Sequence, residues 1–516
     1  MADVKISQLP AATSPVASTD VLPVVQGGAT KKASVAQLGF LPAGTSAVTR
    51  TIQDKLRDVV SVKDFGAVGN GVTDDTAAIQ AAIAASDTVF FNSGTYLPVT
   101  ISASNKTLIM DGDVEFRLPN GTVGSSAVTG PAVFHVSGSN VTIEGNFTVN
   151  GNRANNSSYS IPTTVRIASL YVTGNNVKFN GEVYVKDAYW IGFTAEGGST
   201  TGTEITGLYI NNLRVEKADY HTLLMWSVAD WHINSIVASG NVSDSWLYGT
   251  KDQRIRVGTQ LSNTSKCKNG SVNSILSDKY VNLTIENGAE NIAIGTAIAA
   301  GGGKLQNVSQ VAIQTFIAAD ASLKNEAYGF ALINASKCHI GTCIVANYDC
   351  NNTFTGYAFV IDGASNCSIG SITVSGSLAT AANALDMIIT GAKNVHIGQI
   401  SLTAPSGTLN GFMFDYDPAY SPQENIVIDS LISTGHTTWD VSVDNPEPIL
   451  IRYVNPDAVF NGSSKLNVYP QIAVLADGVT PPTSATSLAK IYVDGPSGDL
   501  KIIFADGVVK TIITDT

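Results

Sequence analysis

Asn394-Val-His-Ile397 carries the pattern that decides the fold, and ten further copies of it run through residues 140–429. Each copy opens on a polar residue or glycine, continues with an apolar or small residue and a free position, and closes on Ile, Val or Phe. In chain order they are Asn140-Val-Thr-Ile143, Asn176-Val-Lys-Phe179, Gly207-Leu-Tyr-Ile210, Asp230-Trp-His-Ile233, Asn269-Gly-Ser-Val272, Asn291-Ile-Ala-Ile294, Gln310-Val-Ala-Ile313, Lys337-Cys-His-Ile340, Asn366-Cys-Ser-Ile369, Asn394-Val-His-Ile397 and Asn425-Ile-Val-Ile428. Their last members stand 36, 31, 23, 39, 22, 19, 27, 29, 28 and 31 residues apart. An apolar pair at i and i+2 marks a strand with one buried face. One short strand per repeat, with uneven insertions and few helix signals, marks a solenoid of stacked parallel strands. Parallel crossovers take the right hand, so the expected fold is all-β, a right-handed parallel β-helix. Eleven rungs at about 4.8 Å make a rod about 50 Å long, a surface suited to a polymer.

Composition agrees with many short strands joined by turns: 47 glycines and only 14% charged residues in 516. A solenoid adds core linearly, so this length does not require several globular domains. No run of 18 apolar residues occurs and the first residues lack an apolar signal core, so neither membrane insertion nor a secretory signal is expected. The 42 acidic residues outnumber the 30 basic ones, the wrong sign for a phosphate-binding stripe, so nucleic acid is not an expected partner. The cysteines number five. Cys338 and Cys367 take the same place in consecutive rungs and read as small buried apolar residues. Cys338, His339, Cys343 and Cys350 match no standard zinc spacing, and Cys338 and His339 point to opposite faces, so no metal and no cofactor is expected.

The borders along the chain are legible. Residues 1–45 form a small module with apolar runs at Val21–Val25 and Ala33–Leu38 around Gly27-Gly28; residues 46–60 are a charged, helix-prone linker. Residues 61–100 hold "DFGAVGNGVTDDTAAIQAAI" (Asp64–Ile83) and the strand "TVFFNSGTYLP" from Thr88. Thr73, Asp74 and Asp75 offer N-cap oxygens to an amphipathic helix able to lid the end of the stack. Residues 101–460 are the coils, and 461–516 a C-terminal β module with strands around Asp494-Gly495 and Asp506-Gly507, too small to hold a core alone.

The stretch Val62–Ile83 with "VFFNSGTYLP" resembles the opening motif of the pectin-lyase-like parallel β-helix superfamily, which includes many bacteriophage tailspikes. The motif is specific for the fold and not for chemistry, since the superfamily contains lyases, hydrolases and pure binders. Ile6–Leu38 is similar to segments that attach phage tail proteins to the virion, and Ala489–Thr514 to small C-terminal modules of phage fibres. The resemblance implies a homotrimer, a place in the virion tail with residues 1–45 on the tail or adaptor proteins, and a bacterial surface polysaccharide as partner.

Chemistry is sought on the rungs, where an acid stands two residues before a ring in five places: Asp187-Ala-Tyr189, Asp219-Tyr-His221, Asp244-Ser-Trp246, Asp278-Lys-Tyr280 and Glu326-Ala-Tyr328. In register, Asp187, Asp219, Asp244 and Asp278 would form a ladder with one-rung spacing. Like charges that close disfavour joint ionisation, so one carboxyl can remain an acid while its neighbour stays a carboxylate. Glycoside hydrolysis needs that division, at about 5–5.5 Å for retention or about 6.5–9.5 Å for inversion. The structural alternative is that these acids only brace turns. Asp187, Asp219 and Asp244 are the expected catalytic groups.

Four of the five tryptophans, Trp190, Trp226, Trp231 and Trp246, fall in the same stretch. Aromatic rings with a few charges compose a carbohydrate site. The expected saccharide contacts are Tyr189, Trp190, His221, Trp226, Trp246, Tyr248, Asp252, Arg254 and Arg256, while Trp231 reads as core by parity. Glu216 is a further candidate, Asp230 reads as a turn residue, and Asp415 and Asp417 with Tyr416 and Tyr420 offer a lesser sugar or calcium site. The expected function is a tailspike that binds O-antigen or capsule and cleaves it by carboxylate acid/base hydrolysis. A non-enzymatic adhesin is the alternative, and a polysaccharide lyase a third.

Overall fold

A computed structural model describes residues 20–34, 37–121, 132–156, 168–188, 191–218, 221–240, 253–258, 264–278, 281–319, 328–347, 357–376, 385–404, 410–415, 424–443, 449–455, 458, 490–493, 500–503 and 508–513. Between Val60 and Ile451 the chain coils as a parallel β-helix. Each full coil places one strand in a first sheet of long strands, such as Lys393–Thr403, and one in a second sheet of short strands, such as Leu385–Thr390. Among the described residues the second sheet has 13 strands, from Val99–Ile101 to Trp439–Val443.

The repeat sets the register. Ile143, Phe179, Ile210, Ile233, Val272, Ile294, Ile313, Ile340, Ile369, Ile397 and Ile428 pair rung to rung without a slip, and all are buried. Burying each such side chain is worth about 1.5–3 kcal/mol, so a one-residue slip that turned the column outward is strongly opposed.

The first member of the pattern has a separate cause. In all eleven copies it lies in the left-handed region, with φ between +51° and +73°. Asn and Asp tolerate that conformation best among residues with a Cβ. Stacked amides then bond along the rod: Asn140 donates to Asn105 Oδ1 (2.9 Å), Asn176 to Asn140 (3.0 Å), Asn269 to Asp230 (2.9 Å), Asn291 to Asn269 (2.8 Å) and Asn425 to Asn394 (2.8 Å). Asn105, also left-handed at φ +60°, adds a copy that the sequence pattern missed. The turn role of Asp230 holds. Gly207 takes the same left-handed corner at φ +73°, which glycine adopts without strain.

Parity holds inside the coils as well. Trp231 is buried, and Gly270 one rung on makes room for its indole, since a Cβ at Gly270 would meet Trp231 Cε2 at 2.0 Å. Cys338 and Cys367 are buried while His339 is exposed and meets Ser368 Oγ at 2.8 Å; Cys350 lies outside the described residues.

The lid helix is Thr76–Ala85, with Ile79, Ala82 and Ile83 buried. Its capping departs from expectation. Asp75 stands at the N-cap without a capping bond and instead accepts from the amides of Val68 (2.8 Å) and Gly69 (2.9 Å), stapling the glycine-rich loop. Asp74 takes the amide of Thr76 (3.0 Å).

One charge cluster is buried in the last coils. Asp386 and Asp440 lie on second-sheet strands two rungs apart with Gly411 level between them. The His436 side chain, with no exposed surface, bridges them: Nε2 is 2.9 Å from Asp386 Oδ2 and Nδ1 2.7 Å from Asp440 Oδ1. A Cβ at Gly411 would meet His436 Cε1 at 3.0 Å, so glycine makes that room. Burial opposes the charge on His436, but the two carboxylates hold its pKa above the ordinary value.

Near the ends, Val21–Gln26 and Ala29–Ser34 pair as an antiparallel hairpin. Its turn residues Gly27 and Gly28 both have positive φ, the type I′ geometry that suits strand twist. Lys490–Val493, Leu500–Ile503 and Val509–Ile513 form an antiparallel three-stranded sheet. Among the described residues no helix is long and apolar enough to cross a membrane.

Candidate functional site

Alternation along the second sheet turns every other residue outward. Leu223, Ile255 and Leu283 are core, so Leu224, Arg256 and Thr284 share the opposite face, as do Glu196 and Trp226. Six consecutive strands each put one polar or aromatic side chain on that face: His135, Tyr171, Glu196, Trp226, Arg256 and Glu286. At one rung each the strip is about 24 Å long.

These side chains hold one another. His135 stacks on Tyr171 with ring centroids 4.8 Å apart, and the Tyr171 hydroxyl donates to Glu196 Oε2 at 3.0 Å. Burial pushes the His135 imidazole below its ordinary value. The Arg256 guanidinium lies 5.6 Å from the Trp226 ring centroid, a cation–π arrangement. Its Nε and Nη2 both converge on Glu286 Oε1. Gly258 separates the rungs of Trp226 and Glu286, and a Cβ there would meet Glu286 Cγ at 3.2 Å. Trp226 is itself buried, so it steadies Arg256 instead of offering an open ring. His135, Tyr171, Glu196 and Arg256 remain half-buried and reachable.

Of the site residues expected from sequence, Asp187, His221, Trp226, Arg254 and Arg256 are described; Asp219, Asp244, Tyr189, Trp190, Trp246, Tyr248 and Asp252 lie outside the described residues. Trp226 and Arg256 come together, and Arg254 precedes Arg256 on the same face. His221 pairs with the core residue Ile191 on one side and, across a register shift, with Arg254 on the other; its side chain is buried with the core residues, not on the face of Arg254 and Arg256. Asp187 sits at the corner between the sheets in the left-handed region (φ +47°), its carboxylate 3.8 Å from Lys217 Nζ. Asp278 accepts the amide of Gly240 at 2.9 Å, bracing a turn. The two described members of the expected acidic ladder therefore do different things.

Sequence reasoning missed His135, Tyr171, Glu196 and Glu286. One weak signal was present: Phe193-Thr-Ala-Glu196 and Leu283-Thr-Ile-Glu286 repeat the same order. Glu196 and Glu286 are three rungs apart, about 14 Å, beyond either spacing of paired glycosidase carboxylates.

On the first sheet, the Tyr184 hydroxyl donates to Glu216 Oε2 at 2.6 Å and Arg214 Cζ lies 4.8 Å from the Tyr184 centroid. Burial, with the Glu216 carboxylate, pushes the Tyr184 phenol up to about 12. Burial would raise Glu216, but Tyr184 and Arg214 hold it below the usual carboxylate range.

Residues 59–280 match the family described as rhamnogalacturonase A/epimerase, pectate lyase-like. This part of the chain is similar to that family. Among solved structures it is similar to the pre-mature bacteriophage phi29 gene product 12, at 16% identity and a TM-score of 0.53 over 83% of this chain. It spans 60% of that protein's length. It is also similar to the Dettilon tailspike protein (12% identity, TM-score 0.43, 68% of this chain and 70% of that one). A third is PfbA, a surface adhesin of Streptococcus pneumoniae (14% identity, TM-score 0.41, 89% and 99%). No curated protein matches the sequence.

Proposed function

We propose that this chain is a phage tailspike that binds a bacterial surface polysaccharide, O-antigen or capsule, along the second-sheet strip and cleaves it. The observation that carries the proposal is the strip itself: six rungs in succession carry aromatic, cationic and acidic groups, of which His135, Tyr171, Glu196 and Arg256 are half-buried and reachable while Trp226 and Glu286 are buried behind them. A row about 24 Å long suits several sugars of an extended chain. The similarity of residues 59–280 to a pectate lyase-like family and the fold shared with a phage protein support it.

Cleavage falls to carboxylates. Asp219 and Asp244, which lie outside the described residues, supply the acid and the base together with Asp187. The spacing of Glu196 from Glu286 favours a second reading, an adhesin with the same strip and no turnover. Residues 1–45 serve attachment to the virion tail, and three copies assemble. An uncharged stripe supports assembly: Val237, Leu276, Ile298, Ile317 and Ile344 align on the outer face of the first sheet beside Ser235, Ser274, Thr296, Thr315 and Thr342. Val237 and Leu276 are 41% and 50% exposed, a liability in a lone chain.

Incubation of the purified protein with host lipopolysaccharide or capsule tests the function. New reducing ends are expected; Asp219→Asn and Asp244→Asn should abolish them while binding persists. Binding without fragments would establish the adhesin. Unchanged binding by both Tyr171→Ala and Glu196→Gln would remove the strip from the function.

A further inference from the structure

The first sheet carries a second concavity that the strip does not use. Thr95, Glu115, Thr148, Tyr184 and Arg214 form an in-register outward column at the start of the coils. Arg214 covers one face of the Tyr184 ring. The neighbour on the other side is Thr148, too short to cover the opposite face. A cleft of about 370 Å³ opens there, lined among others by Asp113, Glu115, Thr148, Glu182, Tyr184 and Lys186. That volume is in the range of small-molecule sites, about 300–1,000 Å³.

Its electrostatics select among sugars. Three carboxylates face one ammonium. Glu115 is already tied, accepting from Asn150 Nδ2 (2.8 Å) and Thr95 Oγ1 (3.2 Å), with Lys186 Nζ 3.2 Å away. Lys186 is thus spent on Glu115, and Arg214, near enough to Glu182 to feel its charge, is already paired with Glu216, so Asp113 and Glu182 leave the cleft negative. A uronate or phosphate-bearing sugar would be repelled, whereas an ammonium is attracted. A ring with one open face beside hydrogen-bonding acids is what a pyranose needs: apolar C–H groups on the ring, hydroxyls on the carboxylates.

We propose that this cleft is a saccharide subsite distinct from the second-sheet strip, selective for amino sugars and closed to uronates. The Tyr184 ring stacks the sugar, and Glu182 with Asp113 receives its ammonium. The tie from Glu216 to the Tyr184 hydroxyl and the cover by Arg214 hold the ring in place without taking up its open face.

Calorimetry on the full chain with three probes tests this: the trisaccharide of glucosamine, its N-acetylated equivalent, and trigalacturonate. The glucosamine trimer should bind tightest, the acetylated one more weakly, and trigalacturonate not at all. Tyr184→Ala should weaken the glucosamine trimer about tenfold, the worth of one stacking contact. Glu182→Gln, which leaves the ring and its partners intact, should lower the preference for the free amine over the acetylated sugar. Tyr171→Ala, on the other sheet, should change none of these affinities, which separates this subsite from the strip. Tighter binding of trigalacturonate, an unaltered affinity in Tyr184→Ala, or no heat with any of the three sugars overturns the proposal.

Discussion

Replacing His436 by leucine should unsettle the last coils by about 3–5 kcal/mol near neutral pH, the usual cost of removing one partner from a buried ion pair. The structure fixes why. Two nearly buried carboxylates, carried on backbones two rungs or about 10 Å apart, share one imidazole that touches each within 2.9 Å. Only a doubly protonated ring can donate to both; a neutral one turns a lone pair toward a carboxylate. The folded pKa is raised above the ordinary imidazole value of about 6.5. The stability His436 contributes is therefore fully present below that value and is lost as pH rises through the raised one. In His436→Leu the carboxylates have no cation between them, and acid relieves the variant by protonating them. The gap between wild type and variant should thus be widest in the mildly acidic to neutral range and narrow on both sides. Because a solenoid opens locally, hydrogen exchange of peptides covering residues 385–443, at several pH values, is the measurement. Asp386→Asn combined with His436→Leu should regain part of the loss. A gap below about 1 kcal/mol throughout, or one that widens as the solution turns alkaline, would refute the bridging role.

Gly270→Val should cost at least about 3 kcal/mol, at the upper end of overpacking, because its Cβ meets Trp231 Cε2 at 2.0 Å. Urea unfolding followed by tryptophan fluorescence reads it, and a loss under about 1 kcal/mol would mean the indole does not fill that rung. Asn394→Ala should cost about 2–3 kcal/mol, from left-handed strain and the bonds to Asn366 (3.1 Å) and from Asn425 (2.8 Å). Asn394→Gly should cost less in the same assay, since glycine takes the corner without strain, and equal losses would remove strain from the account.

The coils were legible because their demands are local. A left-handed corner asks for Asn, Asp or Gly at one position, and the strand after it asks for apolar residues at alternate positions; Asn394, Val395 and Ile397 satisfy both within four residues. Nothing outside the segment is needed to see it. The strip on the second sheet has no corner signature of its own, and only Trp226 and Arg256 announced it, through their chemistry. Asp75 shows the same limit on a smaller scale: an acid before a helix suggests a cap, yet the carboxylate went to the amides of Val68 and Gly69.

Why the acids could not be indexed follows from the connections between the sheets. Four residues separate Lys186 from Ile191, two separate Ala218 from His221, and twelve separate Gly240 from Gln253. Counting back from the start of a second-sheet strand therefore reaches a different place on the first sheet in each coil. That is how Asp187 comes to stand beside Lys217, and Asp278 at the amide of Gly240, although both precede a tyrosine by two residues. The repeat fixes what the sheets contain because the sheets cannot slip. The corners are free to vary in length, so rung spacing no longer dictates the separation of the side chains carried there.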